Sequence, residues 1–344
     1  MKKWLRRIAF SLLVLVVVAV TAGASYEWLQ RRAARRDYPV QGRLVDIGGR
    51  RLQLDCRGSG TPVVVLESGL SGAGARDWSA VHDSLARTTR SCAYSRAGIM
   101  WSDAAPGATT ARGVAEDLHA ALAKAGEPPP YVLVGHSLGG PYIMTYTKHF
   151  GDEVAGLVMV DASHPEQLAR LKEVAPSVVE PNLMPIRIGA ALSWTGLVRL
   201  AVGSAPPMPN QSAGDVRIVS AYGPNSLASA LKELDALPAI FAEAGTLREL
   251  GDRPLVVLTA AKKMPDQTRE TLKLTPEGAA AMQRVWKEMH EDEASWSSRS
   301  RHTMVDDASH YIQFDRPDVV IEAVRSVVDS VRAPRTLASD TTKR

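Results

Sequence analysis

The strongest constraint on this chain is an alternation of short, continuously apolar runs with longer amphipathic ones. Residues 62–67 (PVVVLE) sit between Gly60 and Gly69, and similar runs recur at 131–134, 156–160 and 254–259. A strand with one wet face alternates apolar and polar residues; an unbroken apolar run fits a strand covered on both faces. Between the runs lie helical patterns. Residues 111–124 place Val114, Leu118, Ala121 and Leu122 on one stripe, stopped by Gly126 and three prolines. Residues 138–150 follow the second run, and residues 317–331 open on Pro317 and close before Pro334. Short buried strands alternating with helices imply an α/β fold, a mainly parallel sheet with helices on both faces. Residues 42–47 and 51–56 read as a hairpin across Gly48-Gly49. Residues 91–95 and 303–306 supply two further strands.

Residues 163–250 interrupt this rhythm. Apolar helical stretches at 183–202 and 227–244 flank a cluster that includes Pro207, Met208 and Pro209. They are expected to form a helical cap inserted into a core of residues 37–162 and 251–333. Residues 334–344 are polar and expected to be a disordered tail.

The charge is divided along the chain. The net charge is +4, yet residues 1–36 hold eight Lys and Arg against the single acid Glu27. The remainder has 33 basic and 36 acidic side chains, which disfavours a groove for nucleic acid. Lys2, Lys3, Arg6 and Arg7 precede an uncharged run over 8–25, and Arg31, Arg32, Arg35 and Arg36 follow it. That run matches a membrane anchor, which needs roughly 17–25 apolar residues, with Trp28 as an interfacial residue. A secretory signal cleaved near Ala22-Gly23-Ala24 is the alternative. Either places the body outside the cytoplasm: anchored in one case, secreted in the other.

Chemistry concentrates at Gly135-His136-Ser137-Leu138-Gly139, which follows one strand and opens one helix. This is G-x-S-x-G at a sharp strand-to-helix turn that presents a serine hydroxyl, with backbone N–H groups behind it for an oxyanion. On these residues the chain resembles the α/β-hydrolase superfamily, its serine-nucleophile branch with a helical cap, over about residues 42–333. The stretch from Ala308 through His310 to Pro317 is similar to that family's histidine segment. The resemblance implies Ser137 as nucleophile and His310 as base, in the order nucleophile, acid, histidine. The other histidines, His136 included, are expected to be structural. The acid is Asp161, at the end of run 156–160, or alternatively Asp266, beyond run 254–259.

The resemblance also places the oxyanion donors at the N–H groups of Leu70 and Leu138, although Ser68 stands where many relatives carry histidine. Ser95 replaces a family aspartate, which puts that aspartate's role in doubt, and Arg96 is expected to make structural hydrogen bonds. Trp78 is expected to pack in the core. Met184, Trp194 and Met208 of the cap are candidates for the wall of an apolar acyl pocket. In the family's strand order the strands of Cys56 and Cys92 are neighbours, which makes a disulfide possible; two buried thiols are the alternative. No His, Cys or carboxylate cluster has metal spacing and no glycine-rich phosphate loop opens a helix, so no cofactor is expected. The expected activity is hydrolysis of carboxylic esters or related small acyl compounds through an acyl-enzyme. A lyase or perhydrolase on the same triad, or a non-catalytic binding protein on the same fold, are the rivals. A serine nucleophile argues against the dehalogenase and epoxide hydrolase branches, which attack with aspartate.

Overall fold

The computed structural model describes residues 2–201 and 207–333. The expected disordered tail at 334–344 lies outside the described residues. Eight strands form one sheet: β1 (Arg43–Asp46), β2 (Arg51–Arg57), β3 (Val63–Glu67), β4 (Ser91–Ser95), β5 (Tyr131–His136), β6 (Val154–Val160), β7 (Leu255–Ala260) and β8 (Ser300–Val305). Their order is β1-β2-β4-β3-β5-β6-β7-β8. β1 and β2 are antiparallel, and every pairing from β4 through β8 is parallel.

Two-residue alternation divides each central strand between two cores. Val63, Val65, Leu133, Leu157, Met159, Leu255 and Val257 face a cluster with Leu118 and Leu122 of helix α3 (Ala111–Ala125) and Ile143, Met144 and Tyr146 of α4 (Gly139–His149). Val64, Leu66, Val132, Val134, Val158, Val160, Val256 and Leu258 face the other side. There they meet Trp78, Leu85 of α2 (His82–Ala86), and Val320, Val324 and Val327 of α13 (Pro317–Arg332). This is why the runs carry no polar alternation. Burying one such side chain stabilises the fold by roughly 1.5–3 kcal/mol before chain entropy is counted.

Thr110 caps α3 by accepting from Gly113 N, and Gly126 ends it at φ 72°. Between β6 and β7 run α5 (Gln167–Val174), α6 (Pro176–Val179), α7 (Met184–Leu192), α8 (Leu197–Ala201) and α9 (Ala213–Ala244). Between β7 and β8 lie α10 (Asp266–Thr271) and α11 (Pro276–Ser295), and α12 (Ile312–Asp315) follows β8.

Three features depart from the expectation. β8 begins at Ser300 rather than 303, because an edge strand open to water tolerates the polar Ser300, Arg301 and His302 that pair with β7. α9 is longer than 227–244 and runs through Pro224 and Pro238, since packing on α3, α4 and α7 outweighs the lost backbone donors. Helix α11 was not foreseen. Its start is written in Thr275-Pro276, where Thr275 accepts from Gly278 N.

The N-terminal run is part of one helix, α1 (Lys2–Asp37). It contains a stretch long and apolar enough to cross a membrane, and that stretch is not buried in the protein. Its C-terminal half is docked: Glu27 and Ala34 are buried, and Glu27 pairs with Arg199 of α8 at 2.8 Å.

Cys56 and Cys92 stand directly opposite in the β2–β4 register and are joined as a disulfide. Closing this 36-residue separation restricts the unfolded chain, which corresponds to about 3–4 kcal/mol in the loop-entropy picture. We therefore expect no alkylatable thiol in the denatured, unreduced protein. The Cys56→Ala/Cys92→Ala variant should lose about 3–4 kcal/mol in urea unfolding.

Candidate active site

The end of β5 and the start of α4 enclose Ser137 at φ +52°, a left-handed conformation that costs a non-glycine residue about 1–2 kcal/mol. Neighbours hold it there. Ser137 N donates to Val160 O at 3.3 Å, and Ser137 O accepts from Ser163 N at 2.8 Å and Gly140 N at 2.9 Å. The flanking glycines serve close approach rather than unusual φ. A Cβ on Gly139 would stand 2.4 Å from Glu67 O, and one on Gly140 would stand 2.6 Å from the Cβ of Ala162. The turn is thus wedged between the ends of β3 and β6.

Asp161 follows β6 directly, at φ +44° and 2% exposed. His310 Nδ1–H donates to its Oδ2 at 2.6 Å. Oδ1 accepts from Ala260 N at 2.8 Å and from Trp286 Nε1 of α11 at 2.9 Å. Burial alone would raise this carboxyl's pKa; the hydrogen bond from His310 and electrostatic attraction to it override burial and hold the pKa below the ordinary value. The proton on His310 Nδ1 leaves Nε2 as the basic nitrogen of the neutral ring. Asp266 is elsewhere, exposed at the start of α10 and paired with Arg269 at 3.3 Å.

Ser137, Asp161 and His310 line one cavity of about 610 Å³. Leu171, Val178, Met208, Met264, Leu272 and Trp286 give it apolar walls, with Lys262 and Gln167 among the polar lining residues. Of the three cap residues expected there, Met208 takes part. Met184 and Trp194 do not line it: they are 57% and 51% exposed, because α7 turns that face outward and Trp194 lies against α1.

The loop after β3 is brought to the serine by close packing. A Cβ on Gly69 would lie 3.0 Å from the Cβ of Ser137, so Leu70 follows at the turn. Leu70 and Leu138 pack in one small apolar cluster, and Leu138 N–H lies where α4 begins, among the helix donors without an intrahelical acceptor. The loop is gripped by Arg96, which donates to Ser68 O and Gly69 O at 2.7 Å each. Arg96 also pairs with Glu67 at 2.6 Å and with Glu233 of α9 at 2.7 Å, all three groups being buried. Burial alone would lower the Arg96 pKa, but the carboxylates drive it up and keep the guanidinium charged. Ser95 Oγ accepts from Ala75 N at 3.2 Å and donates to Gln53 Oε1 at 2.8 Å, which ties the strand end to its neighbours.

His136, read from the sequence as structural, is buried beside the nucleophile. Its Nε2–H donates to His310 O at 2.8 Å, tying the nucleophile turn to the histidine loop. Trp286 and the Arg96–Glu233 pair were not anticipated. Trp286 belongs to the unforeseen helix α11, and an ion pair between residues 137 apart leaves no local signature.

Burial, followed by the proximity of His310, depresses the His136 pKa from about 6.5 to about 3. The folded protein therefore holds fewer protons here than the unfolded chain between those values. Stability should be full above pH 6.5 and fall on acidification toward pH 3, by about 4–5 kcal/mol from this group. Urea titrations across that range should show the loss, and His136→Gln should flatten it.

The model of the alpha/beta hydrolase family matches residues 63–323. Among curated proteins the chain is 27% identical over 318 residues to one from Hormonema carpetanum named "Probable transporter efuK", covering 86% of this chain and 44% of that protein. It is 25% identical to the uncharacterized protein YbdG of Bacillus subtilis, over 49% of this chain and 53% of that one. The chain thus spans about half the length of these curated relatives. Two solved structures share the fold. One is a thermophilic esterase from Thermogutta terrifontis, with TM-score 0.51, 19% identity, and 84% of this chain and 98% of that chain covered. The other is the epoxide hydrolase CorEH, with TM-score 0.57, 16% identity, and 84% and 98% covered. With an eight-stranded, mostly parallel sheet, a serine turn after β5 and a family match across most of its length, the chain belongs to the alpha/beta hydrolase family.

Proposed function

We propose that this protein is a serine hydrolase of carboxylic esters or related acyl compounds, acting through an acyl-enzyme. The observation that supports it best is the hydrogen bond of His310 Nδ1 to Asp161 beside Ser137 in one mainly apolar cavity. In this reading Ser137 Oγ attacks the acyl carbon while His310 Nε2 takes its proton. The N–H groups of Leu70 and Leu138 stabilise the oxyanion, and the imidazolium returns the proton to the leaving alcohol. Water then repeats the sequence on the acyl-enzyme. Asp161 fixes the tautomer and stabilises the imidazolium; its pairing with Trp286 and Ala260 keeps it an acceptor. The apolar walls suit an apolar acyl or alcohol group. Lyase or perhydrolase chemistry finds no specific support in the cavity.

Ser137→Ala should abolish labelling by a fluorophosphonate probe and lower ester hydrolysis by about 10⁶ in kcat, the scale of losing a triad nucleophile. Asp161→Asn should lower kcat by about 10⁴, and Asp266→Asn should leave it within about twofold. A folded wild type that takes no label, or equal activity of the two Asn variants, overturns the reading.

We also infer that α1 is retained as a membrane anchor with the body outside the cytoplasm. Two features support this: the exposed apolar stretch, and the packing of Gly23, which a cleaved signal would remove, against the backbone of Thr195. The disulfide fits an oxidising compartment. The mature chain should stay in the membrane fraction after an alkaline carbonate wash and keep its first 24 residues by mass. Release into the supernatant with a new N-terminus near Ser25 would show a cleaved signal instead.

A further inference from the structure

Helices α7 and α8 and the turn between them carry large apolar side chains into solvent. Met184, Ile188, Leu192, Trp194, Leu197 and Leu200 are between 38% and 67% exposed. Met184, Ile188 and Leu192 recur every fourth residue and so form one stripe; Leu197 and Leu200 are three apart on the next helix. Contiguous apolar surface of this kind is rare on soluble monomers and marks a contact face. Residues 183–201 contain only two charged side chains, and both are paired within the protein. Arg187 pairs with Asp235 at 2.5 Å, and Arg199 pairs with buried Glu27 at 2.8 Å. Within this segment the face therefore offers a protein partner no unpaired charge.

Its position relative to α1 identifies what covers it. Gly23 of α1 packs on the backbone of Thr195, where a Cβ would come within 2.3 Å of Thr195 O, and Gly196 packs on Tyr26. Trp194 shares a groove with Val20, Ala24 and Trp28. These contacts fall where the apolar run over 8–25 ends and Trp28, Arg31 and Arg32 begin, the order of residues at a membrane boundary. Eighteen helical residues span roughly 27 Å, close to the hydrocarbon thickness of about 30 Å. A bilayer crossed by that run must reach α7 and α8.

We propose that the α7–α8 face rests in the headgroup–acyl boundary of the lipid bilayer that α1 crosses, so that the protein is held by a span and by an interfacial helix pair. The occupant is lipid. This rests on the anchor reading of α1 and not on the hydrolase reading.

The test uses the full chain with its disulfide intact, carrying Leu200→Cys or, as a control on α13, Glu322→Cys. Each thiol is labelled with an environment-sensitive fluorophore, and one chain is reconstituted per phosphatidylcholine–phosphatidylglycerol nanodisc. The label at position 200 should be blue-shifted and quenched several-fold by brominated acyl chains, and the label at 322 should respond to neither. Equal water exposure at both positions overturns the proposal, as does protection of 200 only in discs with two chains, which would mean a copy-to-copy contact. Failure to enter discs at all overturns the anchor reading and the proposal together. In a second variant, Ile188→Glu added to Leu200→Cys should cut the quenching at 200 several-fold. Its hydrolysis of a water-soluble ester should stay within twofold, showing that it is folded; unchanged quenching also overturns the proposal. A wild type that protects position 200 but hydrolyses no ester would count against the hydrolase reading alone.

Discussion

The crossing of three strand ends at one residue is the constraint on which the site depends. Ser137 sits at positive φ because β5 must turn sharply into α4 while β3 and β6 press against the turn from either side. Any side chain at Gly139 or Gly140 would meet the carbonyl of Glu67 or the Cβ of Ala162. The same crowding sets Asp161 after the neighbouring strand on one side and Leu70 after the neighbouring strand on the other. Parallel strands make this possible, because their C-terminal ends all open on one edge. Three loops far apart in the chain therefore meet there.

Charge then fixes what packing has brought together. Arg96 is buried between two carboxylates and donates to two backbone carbonyls of the loop after β3. A buried ion pair of this kind is weak evidence for stability, since desolvation offsets much of the attraction. Its value here lies in position: it links that loop to α9. Asp161 is treated similarly. Its carboxylate has donors from β7, α11 and His310, so a buried anion stays ionised and its acceptor geometry is set.

Much of this was legible in the chain because it is encoded locally. Unbroken apolar runs named the central strands, and G-x-S-x-G between a strand and a helix named the serine turn. His310 and Asp161 followed from family likeness and from chain order. What escaped was non-local or marginal in pattern. Helix α11 has scattered apolar residues, so Trp286 was missed with it. Met184 and Trp194 looked like pocket residues, because apolar periodicity shows that a face is apolar and not which neighbour it meets. The N-terminal run read as a separate segment, and its docking through Gly23, Tyr26 and Glu27 is visible only in three dimensions.

By itself the sequence determined the α/β alternation, the strained serine turn, the pair of cysteines and a basic-flanked apolar N-terminus. Each depends on neighbours within a few residues: hydrophobic period, the small size of glycine, or a run of like side chains. Only the tertiary structure chose Asp161 over Asp266 as the partner of His310. It also bonded Cys56 to Cys92 across the β2–β4 register and turned the α7–α8 face outward beside α1. Those choices are made by distances between residues remote in the chain, and such distances exist only once the sheet order is in place.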